Sequence, residues 1–274
     1  MTDATSVSSI AHAETASGLH RFAVACVVCS LAGVFTGAMV TSSGGTAFGQ
    51  LHEITAGITA LIVAILGIWL AAQGVSVSLG CCLVALVLGE AALGLARESP
   101  TAGSFHAVLA QLLFAITAAA ATATGTGWSK PADLVEDHGW PSLGSLGKIT
   151  PFLVLCQVAL GAAFRHKQMG ILPHLFGAMV LVLLILCVCI FVMQQFPEHK
   201  VLRPAANFLM AIAFTQIFLG IGAFTVRTMT NKVTPVVVGV TAAHASVGAM
   251  TLAAALVLSM QIRRNVFKKE EPAE

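Results

Sequence analysis

Long apolar segments alternate with short polar connections along most of the chain. A helix that crosses a bilayer needs about 20 mostly apolar residues, and segments of roughly this length recur after the polar stretch that ends at His20. The pattern predicts eight membrane-spanning helices, at residues 21–41, 52–72, 75–96, 105–124, 150–165, 172–193, 204–226 and 234–261. The fifth segment is short, so we expect its helix to begin a few residues earlier. The expected fold class is all-α, a polytopic membrane protein.

Composition supports the same interpretation. Of the 274 residues, 57% are hydrophobic and 9% are charged, whereas soluble proteins carry about 25% charged residues. This excludes a large aqueous domain, a nucleic-acid-binding protein and a disulfide-stapled secreted fold. All seven cysteines lie in apolar segments. Cys26-Val-Val-Cys29 has the spacing of a redox or zinc motif, but inside a hydrophobic segment it is better explained as a pair of small packing residues.

A polar stretch at residues 125–148 divides the chain into two halves of four helices each. The expected units are a polar N-terminal tail (1–20), a first half (21–124), a cytoplasmic linker loop (125–149), a second half (150–262) and a charged C-terminal tail (263–274). Cytoplasmic loops are enriched in Lys and Arg. With the N-terminus inside, the inner side carries nine such residues and the outer side five. This predicts that both termini are cytoplasmic.

A short motif recurs near the end of each odd-numbered helix, and small residues there allow helices to approach closely. Its copies are Gly33-Val-Phe-Thr-Gly37, Glu90-Ala-Ala-Leu-Gly94, Gln157-Val-Ala-Leu-Gly161 and Gln216-Ile-Phe-Leu-Gly220. Each copy is followed by an outer loop and then by a histidine that opens the next helix. These histidines are His52, His106, His174 and His244. The repeated unit is therefore a helical hairpin, and the recurrence of a histidine after every copy of the motif indicates more than ordinary helix packing.

The predicted topology places the four histidines at one depth, at the outer ends of the even-numbered helices. Ionisable residues in spanning segments point to function, and cofactor sites of helix bundles are built on helices that face each other. A neutral imidazole is a good haem-iron ligand. We therefore expect one bis-histidine site from His52 and His106 and another from His174 and His244. Zinc is the competing metal, for which Glu53 is the obvious further ligand; without a metal, each ring would reach to interfacial water.

The remaining histidines do not share this pattern. His12 and His20 lie in the polar tail, His138 and His199 in inner loops, and His166 in an outer loop. We expect all five to be solvated.

Two carboxylates near the first histidine pair are candidate catalytic groups. Glu90 lies seven residues before Arg97, about 10 Å below the outer end at 1.5 Å per residue, where a charge is costly. We hypothesise that Glu90 handles protons near the first-half haem; the alternative is a structural hydrogen bond to a neighbouring helix. Glu53 adjoins His52 at a helix start, where the macrodipole favours an anion; the alternative is an exposed acid.

Three basic residues on the outer side are candidate partners for haem propionates. Arginine pairs with carboxylates through two hydrogen bonds. We expect Arg97 to face the first-half haem, and Arg165 or Arg227 to face the second. The alternative is that these are ordinary loop charges.

The chain resembles the heme A synthase family from Arg21 to Arg264. The most specific pieces are the Gln157–Gly161 motif, Leu172-Pro173-His174-Leu175-Phe176-Gly177-Ala178 and His244-Ala245-Ser246-Val247-Gly248-Ala249. The first half departs from the family pattern, since Gly49 and Glu53 stand where family members usually have Glu and Arg. Residues 41–51 also lack the cysteines that many bacterial members carry there.

The resemblance implies two similar four-helix halves, each with a histidine pair at the outer ends of its second and fourth helices. It implies that His174 and His244 hold heme b. It also implies that His52 and His106 bracket heme O, whose methyl group is oxidised to the formyl group of heme A for cytochrome oxidase assembly in a bacterial-type inner membrane.

Several rivals to this oxidoreductase remain open. They are a b-type cytochrome that relays electrons, a non-enzymatic haem-binding assembly subunit and, more distantly, a transporter. The expected partners are haem and membrane lipid, with a heme O synthase, an oxidase subunit or a second copy of the chain as further candidates and no nucleic acid.

Overall fold

The computed structural model describes residues 4–45, 48–96, 99–230 and 232–268, with side chains described from Ser17 onward. These residues form nine helices and two short strands. The helices are α1 (Ala4–Ser43), α2 (Gly49–Ala72), α3 (Val77–Leu95), α4 (Pro100–Thr124), α5 (Thr126–Ser129), α6 (Leu143–Arg165), α7 (Leu172–Gln195), α8 (Leu202–Met229) and α9 (Pro235–Asn265). The strands are β1 (Val135–Glu136) and β2 (Val266–Phe267).

Eight of these helices, all except the short α5, contain spans that are long and apolar enough to cross a membrane within the described residues. Their outward faces carry large apolar side chains, such as Leu61, Leu183 and Phe218, which are 64%, 68% and 71% exposed. Apolar surface on this scale is unusual for a soluble monomer and suits contact with lipid. The all-α, polytopic membrane fold predicted from the sequence is confirmed.

Helix α6 begins well before its apolar run. The carboxylate of Asp137 accepts a hydrogen bond from the backbone N–H of Leu143, at 2.6 Å, and the Ser142 hydroxyl accepts one from the N–H of Ser145, at 3.2 Å. The first N–H groups of a helix have no partner inside the helix, so these side chains set its start. Helix α1 likewise begins at Ala4, inside the segment assigned from the sequence to a polar tail.

Each half is a closed ring of four helices. In the first half α1 packs against α2 and α4, and α3 completes the ring between them; in the second half α6, α7, α8 and α9 repeat this order. The second and fourth helices of each half are therefore diagonal partners. The two halves meet where α1 and α4 pack against α9, and α4 also packs against α6.

The linker between the halves is bound to the C-terminal end of α9. Strand β1 pairs in parallel with β2. The Arg264 guanidinium donates hydrogen bonds to the carbonyl groups of Gly127 and Lys130, and it lies 4.6 Å from the centre of a Trp128 ring. The end of the second half thereby fixes the connection that leads into it.

His199 belongs to this linker structure. Its side chain is 2% exposed. Nε2 lies 3.0 Å from the carbonyl oxygen of Asp133, and Nδ1 accepts hydrogen bonds from the N–H groups of Val201 and Leu202. The expectation that His199 is solvated is wrong, because neighbouring N–H groups bind one ring nitrogen and the carbonyl group of Asp133, distant in sequence, lies against the other.

Candidate functional site

The diagonal helices bring the four repeat histidines together in two pairs. The ring centroids of His52 on α2 and His106 on α4 are 6.2 Å apart, with an angle of 75° between the rings. Those of His174 on α7 and His244 on α9 are 6.3 Å apart, with an angle of 89°. Each half thus holds one pair toward the end of its bundle that the sequence assigns to the outer side. His106 and His244 lie six and nine residues after the starts of α4 and α9, so the expectation that every histidine opens its helix is wrong for these two.

The centroid separation matches two imidazoles that share one metal ion on opposite sides. A histidine nitrogen binds zinc at about 2.0–2.1 Å, which serves here as a guide for a first-row metal ion. In a five-membered ring with bonds of about 1.33 Å, each atom lies about 1.1 Å from the centre. Two opposed ligands therefore have centroids about 6.3 Å apart. The residues of both pairs fit a bis-histidine metal centre by this measure.

Glycines of the recurring motif make room for the imidazole rings. A Cβ atom on Gly37 would lie 2.9 Å from Cε1 of His52, one on Gly161 2.9 Å from Cε1 of His174, and one on Gly220 3.0 Å from Cε1 of His244. At Gly94 the corresponding distance to His106 is 3.6 Å. Each ring therefore lies across the glycine of the preceding helix. This contact explains why the glycine and the histidine recur together in all four hairpins.

In the first half, Nδ1 of each histidine contacts an oxygen atom. Nδ1 of His52 lies 3.2 Å from the hydroxyl of Thr36, which also contacts the carbonyl oxygen of Ala32 at 2.9 Å. Nδ1 of His106 lies 2.9 Å from a carboxylate oxygen of Glu90. Metal-binding histidines commonly donate their second N–H to such a partner. With Nδ1 of each ring in such a contact, Nε2 is the nitrogen that would bind a metal ion.

In the second half, glutamine residues take the place of Glu90. Nε2 of Gln157 lies 3.0 Å from Nδ1 of His174 and donates to the carbonyl oxygen of the same histidine at 2.7 Å. A Cβ atom on Gly177 would collide with Oε1 of Gln157, and one on Gly248 would lie 3.0 Å from Nε2 of Gln216. The glycines that follow His174 and His244 therefore admit these amide groups.

A cavity of about 530 Å³ opens beside the first histidine pair. His52, His106, Glu53 and Glu90 line it together with small and apolar side chains of all four helices of the first half. Pockets of about 300–1,000 Å³ with a few convergent polar groups are typical of small-molecule sites. The cavity is therefore the candidate substrate site of the described chain.

Glu53 lies in the wall of this cavity, but the reason given from sequence does not account for it. Helix α2 begins at Gly49 and has no acidic residue in its first turn. Because the macrodipole acts mainly within the first turn, it does not explain a carboxylate at position 53. Glu53 is exposed, as the alternative expectation had it, and it also lines the cavity.

The candidate arginines have different surroundings. Nη2 of Arg165 donates hydrogen bonds to the carbonyl oxygen of Ala38 and the hydroxyl of Ser42, both at 2.9 Å. Arg165 also interacts electrostatically with Arg227, so two cationic groups lie near one another at this end of the second half. Arg97 lies outside the described residues. Sequence reasoning missed the link from Arg165 to α1, because the sequence does not show which helices of the two halves meet.

His166 lies between the two sites in the loop after α6. Partial burial lowers its pKa below the ordinary value of 6.5, and the charges of Arg165 and His106 add to this effect. The expectation of a fully solvated ring is wrong for His166. It is also wrong for His20, which is partly buried with Nδ1 at 3.1 Å from the carbonyl oxygen of Ala121.

Within the part of the chain that the structure describes, no group of three or more His, Cys, Asp or Glu side chains is arranged to hold a metal ion. The sites are pairs of imidazoles, a ligand set that suits a haem iron because the macrocycle supplies the other four ligands.

No protein-family model and no curated protein matches the chain.

Proposed function

We propose that the chain is a membrane haem protein with one bis-histidine site in each half, and that it is an oxidoreductase of the heme A synthase type. The observation that carries the proposal is the pairing of the four repeat histidines, with ring centroids 6.2 Å apart in one half and 6.3 Å in the other. Two independent pairs with the separation expected for opposed iron ligands are not required by helix packing alone.

In this proposal the two halves have different tasks. His174 and His244 hold a resident heme b, while His52 and His106 hold heme O in the cavity of the first half. Bound haem supplies the redox chemistry. The chain's own residues orient the macrocycle, limit water, and place two carboxylates, Glu90 and Glu53, where protons are released as a methyl group is oxidised to a formyl group.

The arginines complete the proposed sites. Arg165 and Arg227 carry the positive charge that favours propionates near the second pair, and Arg97 is proposed for the first. The orientation follows from the loop charges: both termini lie in the cytoplasm, and the histidine pairs lie near the opposite surface of a bacterial-type inner membrane. A heme O synthase or an oxidase subunit is the proposed protein partner.

A second candidate is a b-type cytochrome that relays electrons between its two sites without changing either haem. The similar separations of the two histidine pairs favour it, since they suit two equivalent groups. So does Gly49, which offers no carboxylate where members of the heme A synthase family have one.

Pigment analysis distinguishes these functions. The protein is purified from a host that makes heme O, and its haem is identified by pyridine haemochrome spectra and chromatography. The variants His52→Ala, His106→Ala, His174→Ala and His244→Ala are compared with His138→Ala, whose side chain is 76% exposed. We expect heme A together with heme b in the parent, the loss of heme b in the second-half variants, and the parental pigment in His138→Ala.

Each contrary result has a defined meaning. Heme b alone, at two per chain, would overturn the synthase and support the relay cytochrome. Heme b at one per chain, with no heme A in any variant, would support a non-enzymatic haem-binding subunit. A colourless parent protein, or one that holds zinc, would overturn every haem-based function.

A further inference from the structure

The residue four positions before the motif glycine differs in charge between the halves. Glu90 takes this position in α3, whereas Gln157 in α6 and Gln216 in α8 are neutral. The preceding helix thus presents a carboxylate to the histidine of α4 and amide groups to those of α7 and α9. This is a difference in chemistry within an otherwise repeated arrangement.

The carboxylate of Glu90 is in direct contact with the ring of His106. One of its oxygens lies 2.9 Å from Nδ1, and the side chains of His106 and Glu90 are 22% and 14% exposed. Little water therefore competes for the contact, and a low local dielectric strengthens it. A Cβ atom added to Gly94, the last glycine of the motif, would lie 3.6 Å from Cε1 of His106. The ring therefore lies between the α3 backbone and the cavity.

A carboxylate that accepts the Nδ1–H of a ligating histidine makes that histidine a stronger electron donor. Hydrogen bonding of this kind is one of the protein's means of setting the potential of a haem iron. A more strongly donating ligand stabilises the ferric state. At His174 the neighbour of Nδ1 is instead the amide nitrogen of Gln157, at 3.0 Å. This group is a donor, so it supplies neither a negative charge nor an acceptor for an Nδ1–H.

We propose that Glu90 lowers the reduction potential of the iron held by His52 and His106 below that of the iron held by His174 and His244. This inference rests on the haem binding proposed above. Glu90 is a positioning residue in this role, because it acts on the iron through His106. The difference in potential sets the direction of electron transfer. The first-half iron gives up one electron and is oxidised, and the second-half iron accepts it and is reduced.

The test is a spectroelectrochemical titration of the purified, haem-loaded full chain and of its Glu90→Gln variant. Glutamine is nearly isosteric with glutamate and already occupies the matching positions 157 and 216, so the variant should fold. We expect the lower of the two potentials to rise by at least about 59 mV, a tenfold change for a one-electron couple, and the higher potential to stay in place. Titrating His244→Ala, which lacks one second-half ligand, assigns the lower potential to the first half.

Glu53→Gln is the matched control, because it removes the other carboxylate from the wall of the same cavity. A smaller shift in this variant supports the specific contact with His106. An equal shift in both variants, an equal shift of both potentials in Glu90→Gln, or no shift in Glu90→Gln would each overturn the inference while leaving the haem function intact. A parent protein without haem would instead overturn the proposed function itself.

Discussion

At the scale of single residues, the motif glycines decide where the imidazole rings can lie. A methyl group at position 161 would come within 2.9 Å of Cε1 of His174, a distance that forces the ring or the helix to move. We therefore expect Gly161→Ala to weaken haem binding in the second half by about 10–100-fold, the range known for changes in the surroundings of metal ligands. Haem titration of the purified apoprotein measures this loss.

Gly144→Ala is the control for this change. Gly144 belongs to the same helix, and an added Cβ there meets nothing within 4 Å. Alanine is favoured over glycine in a helix by up to about 1 kcal/mol, so neither variant loses helix propensity. Unchanged haem affinity in Gly161→Ala would show that the contact between glycine and ring is not needed to hold the ligand.

Some contacts of single residues could be predicted from the sequence, and others could not. The pairing of His174 with His244 was predictable, because the repeat gives both residues the same depth on alternate helices. The contact of Glu90 with His106 was not, because it depends on how α3 is rotated about its axis. The burial of His199 was equally hidden, since Asp133 approaches it from 66 residues away.

At the scale of helices, apolar length predicted the number of spans but not their ends. A helix needs about 20 apolar residues to cross the lipid bilayer, and this requirement made all eight spans recognisable in the sequence. Both α1 and α6 begin before their apolar runs. For α6 the reason is visible, because polar side chains bind the N–H groups of its first turn, which have no partner inside the helix. Asp137 and Ser142 provide such partners for α6, and their contribution does not appear in a hydropathy pattern.

Arg165 joins helices of the two halves, and its substitution tests how much this link contributes. Arg165→Gln removes the hydrogen bonds to Ala38 and Ser42, each of a kind worth about 1.5–3 kcal/mol when the donor is charged. We expect the midpoint of thermal unfolding in detergent to fall by roughly 5 °C or more, measured by circular dichroism. The exposed Arg263 provides the control Arg263→Gln. An equal midpoint in the two variants would contradict a stabilising role for this link.

At the scale of the whole molecule, the loop charges make a prediction about orientation. The linker with α5 lies at the end of the bundle where α9 ends, and the loop between α6 and α7 lies at the opposite end with the histidine pairs. Cytoplasmic loops carry the excess of Lys and Arg, so the linker should face the cytoplasm. A cysteine at Ser129 should then be protected in intact cells from a membrane-impermeant maleimide, and one at Met169 should be labelled.

The seven native cysteines set the background for this measurement. All lie in membrane-spanning helices, and maleimides react with the thiolate, whose formation is disfavoured in apolar surroundings. The parent chain should therefore be labelled weakly before and after the membrane is permeabilised. Both Ser129→Cys and Met169→Cys should react once the membrane is open, which shows that each site is accessible. Labelling of Ser129→Cys but not Met169→Cys in intact cells would show the opposite orientation. The histidine pairs would then lie near the cytoplasmic surface and be accessible to a different set of partners.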